Sequence, residues 1–586
     1  MDAARHEPPP RPRRARLRAG ARRDVPRRRA RAGHGLHDRA RPVLQGRRPR
    51  RAAGVPRHRR AHRGRRPRDG GRLGEPLGGA AAHGGRRRGL ARASPPTRVS
   101  LGEAPGAASR AVTTPDGEPA VATSARRRAW VAGAGAGAVV TGVLWLFSAR
   151  QWALYRVPSW DLGIFTQVLR AYSELRSPVV TIKGEDFMIL GDHFHPLLVV
   201  LAPFYALHPS GFTLLAAQAV LFGLTAGIVT WAAVKHVGWW GVAIGLACGL
   251  SHFVVEAHAA QFHEVALAMP LLAMAMAMLV DRRGVAACAW ALPLVLVKED
   301  LGLTVAAVGV VVAIRAASSR ERRAGLATAA FGVLAFVVIT QWVLPALNPD
   351  GVWDYADDSI LSLALSDPGA ALTRLGTGFG VKAGTVLLAL LVTGVVCVRS
   401  PLALVALPTL AWRVSSDVAY HWGMHFHYGA VLAPILYLAL VDALGLLTRD
   451  GSRGVRRRWL VPALGAGTLA LTLLLQPRFA LWTLTQSDTW APNARAATLR
   501  EAENQVADGE AVDMDITLMA YLAPRAEVYW IGNTNPVPDV VVIDRSSGVL
   551  HPPPDDVAAY AGQLFPGTTW ETVWDTFPVG VARPVG

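Results

Sequence analysis

Four short stretches of a mostly apolar chain carry residues able to do chemistry. In "GDHFHPLL" (191–198), Asp192, His193 and His195 stand directly before an apolar run, and in "SWDLGIF" (159–165) Asp161 has equally apolar company. Lys298, Glu299 and Asp300 interrupt the apolar stretch 285–315, and "RVSSDVAYHWGMHFHY" (413–428) sets Arg413, Asp417, His421, His425 and His427 between two apolar segments. Carboxylates and imidazoles can take or give protons. Short Asp/His spacing also suits a divalent metal ion, which Asp192, His193 and His195 would hold together with Asp161. Plainer roles compete with these. Asp161 suits a helix N-cap, the histidines suit a loop in which Pro196 keeps His195 extended, and Lys298–Asp300 suit a hairpin tip that reaches water. Ionisable residues at membrane depth nonetheless mark functional positions by default. His421 and His425 would share a face if a helix continued through them. No acid follows His421 as in HExxH, so the stretch does not read as a zinc protease.

The elements that must position these groups are membrane helices. Hydrophobic residues make up 51% of the 586. The net charge of +21 suggests nucleic acid until it is located: residues 1–128 hold 35 Arg, no Lys and 9 acids, so the rest of the chain is net negative. That block has no aromatic residue, all 44 lying from Trp130 onward, so it lacks both a core and the stacking groups of a nucleic-acid binder. It reads either as a disordered Arg-rich cytoplasmic tail or as translation from a start upstream of the true one, near Val112 or Val121. It has no apolar h-region and is not a signal peptide. Cys248, Cys288 and Cys397 are single and far apart, with neither metal nor disulfide spacing, and read as small apolar packing residues.

Apolar segments long enough to span a bilayer follow at 129–148, 211–234, 239–257, 263–280, 324–347, 382–398, 428–447 and 459–476, with a shorter one at 401–412. The positive clusters 125–128, 281–283, 315–323 and 449–458 can all be placed inside, and the topology then closes without conflict. Residues 285–315 must cross an even number of times. As one helix they would run about 46 Å; split at Lys298–Asp300, each arm is about 20 Å, which predicts a short or re-entrant hairpin with the charges at its tip.

This topology gathers the polar groups on one side. Of the 11 histidines after residue 128, only His236 falls on the inner side, while His193, His195, His208, His258, His263, His421, His425 and His427 fall at or near the outer face, with His252 just below. Each can be an interfacial residue bonded to water; together they predict one outward cavity lined with imidazoles and carboxylates. The first outer loop, 149–210, carries an amphipathic helix over 161–175 and a shallow helix over 196–207. Residues 348–381 read as an acidic outer loop with Asp350, Asp354, Asp357 and Asp358. In the tail, "VVVID" (540–544) reads as a buried strand and "WETVWDTF" as an alternating one.

The motifs "WDLGIFTQVLR", "HFHPLLVVLAPFYALHP", "FHEVALAMPLL", "LVKEDLGL", "HFHYGAVLAPIL" and "APRAEVYW…DVVVID", in order over about residues 130–545, resemble domain-of-unknown-function family 2079 of predicted bacterial membrane proteins. That family is in turn similar to the GT-C glycosyltransferases, among them the protein O-mannosyltransferases. The resemblance implies a mainly α fold: a polytopic transmembrane helical bundle of about nine to eleven membrane segments, with a small extracytoplasmic α/β domain over 485–586 capping it. It implies a multi-pass protein of the cytoplasmic membrane, N-terminus inside, taking sugar from a polyprenyl-phosphate donor to an unspecified acceptor. Asp161 matches the catalytic acid after the first span. "HPLL" (195–198) is similar to the mannosyltransferase "HPPL", with Leu197 departing, and Leu162 stands where a second acid often sits. Lys298, Arg413 and His425, or a divalent metal ion at Asp192, His193 and His195, would then hold the donor phosphate, with Glu299, Asp300, His421 and His427 lining the same cavity. The rival classes are a transporter or channel and a non-enzymatic scaffold of envelope assembly. Deletion of residues 1–120 is expected to leave membrane insertion unchanged, measured by fractionation and by growth complementation; loss of insertion would make the block an integral part of the protein.

Overall fold

The computed structural model describes residues 120–586 apart from 159, 354–359 and 449–453. The Arg-rich block up to residue 119 and the acids Asp354, Asp357 and Asp358 lie outside the described residues. The chain is a mainly helical multi-pass membrane protein with a small sheet at its C-terminal end. Among the described residues six helices are long and apolar enough to cross a membrane, namely Ser124–Ala153, Gly211–Val237, Trp240–Ala259, Ser319–Leu347, His427–Leu447 and Arg458–Arg478, and a bent pair, Pro368–Gly376 with Phe379–Val392, makes up to seven. Shorter apolar helices, Val265–Val280, Gly284–Leu296, Leu301–Arg315 and Pro401–Ser415, complete the bundle. They are short because they are arms of hairpins and broken spans.

Lipid offers helices no hydrophobic gain for meeting one another, so close backbone approach must hold them together. The first helix, Ala120–Ala153, lies along Gly211–Val237 through two small-residue ridges. A Cβ on Gly133 would sit 2.7 Å from the Gly227 carbonyl, and one on Gly137 2.9 Å from that of Gly223. The arm Leu301–Arg315 meets Ser319–Val338 the same way, Gly302 against the Gly332 carbonyl and Gly325 against that of Gly309, each at 2.7 Å from the would-be Cβ. Between these arms Ser318 caps the second helix, accepting from the Glu321 amide at 3.2 Å, while the Glu321 carboxylate accepts from Ala317 and Gly284.

The charged tip falls where its sequence places it. Helix Gly284–Ala291 and a 3₁₀ turn, Leu292–Leu296, form one arm, Leu301–Arg315 the other, and Lys298–Asp300 the turn between. Two stretches differ from expectation. The acidic loop contains helices Ile360–Ser366 and Pro368–Gly376; Asp367 caps the second, accepting from the Ala370 amide at 2.8 Å, with Pro368 at its first position. The helix through 413–428 stops at Ser415, resumes for one turn over Ala419–Trp422 and breaks at Gly423, so His421 and His425 do not share a helical face. Phe426, at φ +65°, carries the backbone through that break.

The C-terminal part is a five-stranded sheet in the order β2-β1-β3-β5-β4, with β1 Ala511–Met514, β2 Glu527–Trp530, β3 Val540–Asp544, β4 Trp570–Thr576 and β5 Val579–Pro584. β1 is parallel to β2 and β3; β5 is antiparallel to β3 and β4. All five residues of β3 are buried, as a central strand requires. The sheet domain docks on the loop after the first helix. Tyr521 stacks between Trp152 and Tyr155 with centroids 3.9 and 4.4 Å away, and Arg170 donates to the Ala526 carbonyl at 2.8 Å. Many exposed tryptophans stand near helix ends, Trp130, Trp239, Trp240 and Trp459 at the ends away from the sheet and Trp342, Trp482 and Trp490 near the opposite ends, while Trp145 and Trp290 are exposed within helices. Gly227→Leu is expected to lower stability by at least about 1–3 kcal/mol through overpacking, read as a lower melting temperature in detergent, whereas Gly135→Leu, which meets nothing within 4 Å, should be neutral.

Candidate functional site

The amphipathic helix Trp160–Ser173 buries Leu162, Phe165, Val168 and Leu169 and leaves Asp161, in its first turn, at the rim. The Asp161 side chain is 55% exposed, and its Oδ2 lies 3.4 Å from Nε2 of the buried His263. Partial desolvation raises the carboxyl's pKa, but His263, by hydrogen bond and charge, with Lys298 behind it, outweighs that and holds it below the ordinary carboxylate range. Asp161 is therefore an ionised, acceptor-only group at neutral pH.

His263 is fixed from three sides. Its ring stacks on His427 at 3.6 Å between centroids, lies edge-on to Phe165 at 6.1 Å, and its amide donates to the Gln218 side chain at 3.1 Å. The next residue, Glu264, accepts from Lys298 Nζ at 2.7 Å, with both groups largely buried. Glu299 reaches the loop between the first two spans: its carboxylate meets His193 Nδ1 at 2.8 Å and accepts from the Phe194 amide at 3.1 Å. One compact cluster thus joins Asp161, His193, His263, Glu264, Lys298, Glu299 and His427 at the end of the bundle that bears the sheet domain. His195 belongs to its wall, 2% exposed and edge-on to Phe165 at 5.6 Å, and burial pushes its imidazole down to about 4.

The metal reading of "GDHFH" does not find its geometry. Asp192 pairs with Lys183 at 3.1 Å, His193 is turned to Glu299, and His195 is buried. Desolvation and Lys298 lower the His193 pKa, but Glu299 and Asp192 overcome them and raise it, which favours the imidazolium over a metal-ligating imidazole. Among the described residues no group of three or more His, Cys, Asp or Glu is placed to hold a metal ion.

The segment after residue 413 closes the cluster's other side. Arg413, 4% exposed, donates to the carbonyls of His421 (2.9 Å) and Gly423, which fixes the broken helix. His421 bonds the Ser416 hydroxyl at 2.7 Å. The mostly exposed His425 bonds Glu256 at 2.6 Å, inside the span Trp240–Ala259, rather than a member of Asp161's partner set. A row of rings, His421, Tyr428, His427 and His263, at centroid steps of 4.6, 4.2 and 3.6 Å, runs from Arg413 to Asp161. Over Asp161 the sheet domain supplies Trp530, stacked on Trp160 at 5.7 Å, and Lys183 lies over that same Trp160 ring.

Three buried polar atoms in this cluster, His195 Nδ1, His427 Nδ1 and Asp300 Oδ1, have no hydrogen-bond partner among the described residues. Atoms of that kind are met in proteins by ordered water or a ligand. Glu264 is the member of the cluster that sequence reasoning passed over; its signal was the His-Glu pair opening the apolar run "FHEVALAMPLL".

The model of the family described as predicted membrane protein (DUF2079) matches residues 150–562. Among solved structures, one of ArnT from Cupriavidus metallidurans bound to undecaprenyl phosphate is similar at 15% identity and a TM-score of 0.40, over 76% of this chain and 98% of that one. No curated protein matches the chain. Lys298→Met is expected to cost about 3–5 kcal/mol by stranding the Glu264 carboxylate, and Glu264→Leu added to it should recover much of the loss; thermal melts of the two single variants and the double variant measure this coupling.

Proposed function

The chain belongs to the predicted-membrane-protein family DUF2079, and we propose that it is a GT-C-type membrane glycosyltransferase that takes a sugar from a polyprenyl-phosphate donor at the outer face of the cytoplasmic membrane. One observation carries the proposal. A half-exposed carboxylate, Asp161, stands at the rim of an apolar bundle, held by a buried imidazole, with Trp160 beside it stacked on Trp530 of the C-terminal sheet.

A donor with its chain in lipid and its phosphate at the interface would present the anomeric carbon at that rim. The acceptor hydroxyl gives its proton to Asp161. Its oxygen forms the new bond to the anomeric carbon, the bond from that carbon to the phosphate oxygen breaks, and the electron pair leaves with the polyprenyl phosphate. His263 keeps Asp161 oriented and ionised before the step and shares the proton's charge after it. Lys298 and Arg413 supply positive potential on the leaving-group side, moderated at Lys298 by Glu264. The sheet domain, anchored through Trp530 and Tyr521, would hold the acceptor and exclude water.

A transporter is the reading that a second observation favours: Glu264 and Glu299 are buried, with the half-buried Lys298 and Asp300 beside them, at a helix break. Asp161→Asn is nearly isosteric and removes the basicity. Transfer from a labelled polyprenyl-phosphate sugar in vesicles is expected to fall by about 10²–10⁴-fold, with membrane level and melting temperature unchanged. An Asn variant as fast as wild type would reduce Asp161 to a structural residue. Wild-type vesicles that transfer nothing but move a solute would put the transporter in its place.

A further inference from the structure

Phe426 stands at φ +65° and ψ −176°, a region of backbone space that only glycine enters without strain. Its ring is nonetheless 44% exposed, so it does not serve to fill a core. Tyr420, 54% exposed, lies 5.9 Å from it between centroids, and Tyr428 lies 6.1 Å from each of the two. The three rings form one patch, in which Tyr420 and Tyr428 are 26° from parallel. Asp417 and His425, whose side chains are 53% and 66% exposed, border the patch, so it lies among water-accessible groups rather than in hydrocarbon.

The patch is held from behind. Arg413 ties the segment by the carbonyls of His421 and Gly423, and His421 bonds the Ser416 hydroxyl. Trp422 donates to the Ser416 carbonyl at 2.8 Å and lies against Gly378, the elbow at which the bent pair Pro368–Gly376 and Phe379–Val392 turns by 58°. From Tyr428 the contacts run through His427 and His263 to Asp161. Burial raises the pKa of the Tyr420 phenol and the charges of Asp161 and Asp417 raise it further, so Asp161 is within electrostatic reach of the patch. Rigid aromatic faces beside a carboxylate at a water-accessible rim are complementary to a pyranose. The sugar's C–H face lies against the rings, and the hydroxyls at its edge donate to the carboxylate. A lipid chain would cover the rings and leave the carboxylate unmatched.

We propose that Tyr420, Phe426 and Tyr428 form a saccharide subsite that seats a pyranose ring of the acceptor with one hydroxyl edge toward Asp161, so that the acceptor is a carbohydrate. This rests on the transferase reading and adds the acceptor's chemical class to it. The strained backbone at Phe426 then has a purpose, since it carries one ring of the subsite.

The test is saturation-transfer NMR on the full-length protein in nanodiscs, with maltotriose and mannotriose as probes. Transfer is expected to the C–H protons of one pyranose ring. Tyr420→Ala should weaken binding by about two- to tenfold, the range of one aromatic contact, and Phe426→Tyr should retain it. Phe426→Gly removes the ring yet suits the backbone, so its melting temperature should match or exceed that of wild type while binding falls by a similar factor. Phe426→Cys carrying a bimane dye is labelled selectively, because Cys248, Cys288 and Cys397 are buried; aqueous iodide should quench it and nitroxide-tagged lipid should not. Three results overturn the proposal: wild type that shows no transfer to either trisaccharide, Phe426→Gly that binds them as wild type does, or quenching by the tagged lipid, which makes the patch a membrane anchor. If the trisaccharides bind at these rings and no sugar is transferred, the subsite stands and the transferase reading falls. If Phe426→Gly and Tyr420→Ala transfer sugar to added trisaccharide with the wild-type KM, the subsite falls and the transferase reading stands.

Discussion

The buried pair of Lys298 and Glu264 is the contact on which the rest of this end of the molecule depends. Two charges in an apolar bundle cost several kcal/mol each to desolvate, and they stay only because they meet at 2.7 Å. That meeting ties the tip of one hairpin to the first turn of helix Val265–Val280. The tip carries Glu299, which reaches the first long loop at His193; the helix start carries His263, which reaches Asp161. A single ion pair therefore sets the positions of groups far apart in sequence, and it does so in the short hairpin, where a helix break leaves polar backbone that only surrounding protein can satisfy.

Around that pair the architecture separates two jobs. Small residues let the long helices touch backbone to backbone and form a stiff frame. The irregular pieces, the elbow at Gly378 and the broken segment 416–426, lie at one end, where they bring aromatic rings and cations into a row. Arg413 is the joint between them: its guanidinium uses the carbonyls freed by the helix break at His421 and Gly423, so the same break that exposes backbone also fixes a buried charge.

The membrane helices and the hairpin tip were legible in the sequence because apolar length is a one-dimensional signal and Lys298–Asp300 interrupt it in plain view. So was the gathering of histidines at one end. The partners were not: Asp161 and His263, or Lys298 and Glu264, are joined across gaps in the chain that no periodicity spans. The helices over 360–376 were masked by nearby acids, although Asp367-Pro368 is a start signal. The break after Ser415 overrode the i,i+4 pattern of His421 and His425, since Gly423 and the left-handed Phe426 do not continue a helix. Strand β3 was legible from "VVVID", while the four-residue β1 and β2 carry too little pattern to stand out.

The exposed tryptophans near the helix ends have a mechanical meaning. Indoles prefer the headgroup layer, so Trp130, Trp239, Trp240 and Trp459 on one side and Trp342, Trp482 and Trp490 on the other clamp the bundle at a set depth. A thicker or thinner bilayer must then be met by tilt or by local deformation of lipid rather than by vertical slippage. The depth of the Asp161 rim is thereby tied to bilayer thickness, so the chemistry proposed for that rim would vary with the lipid around it.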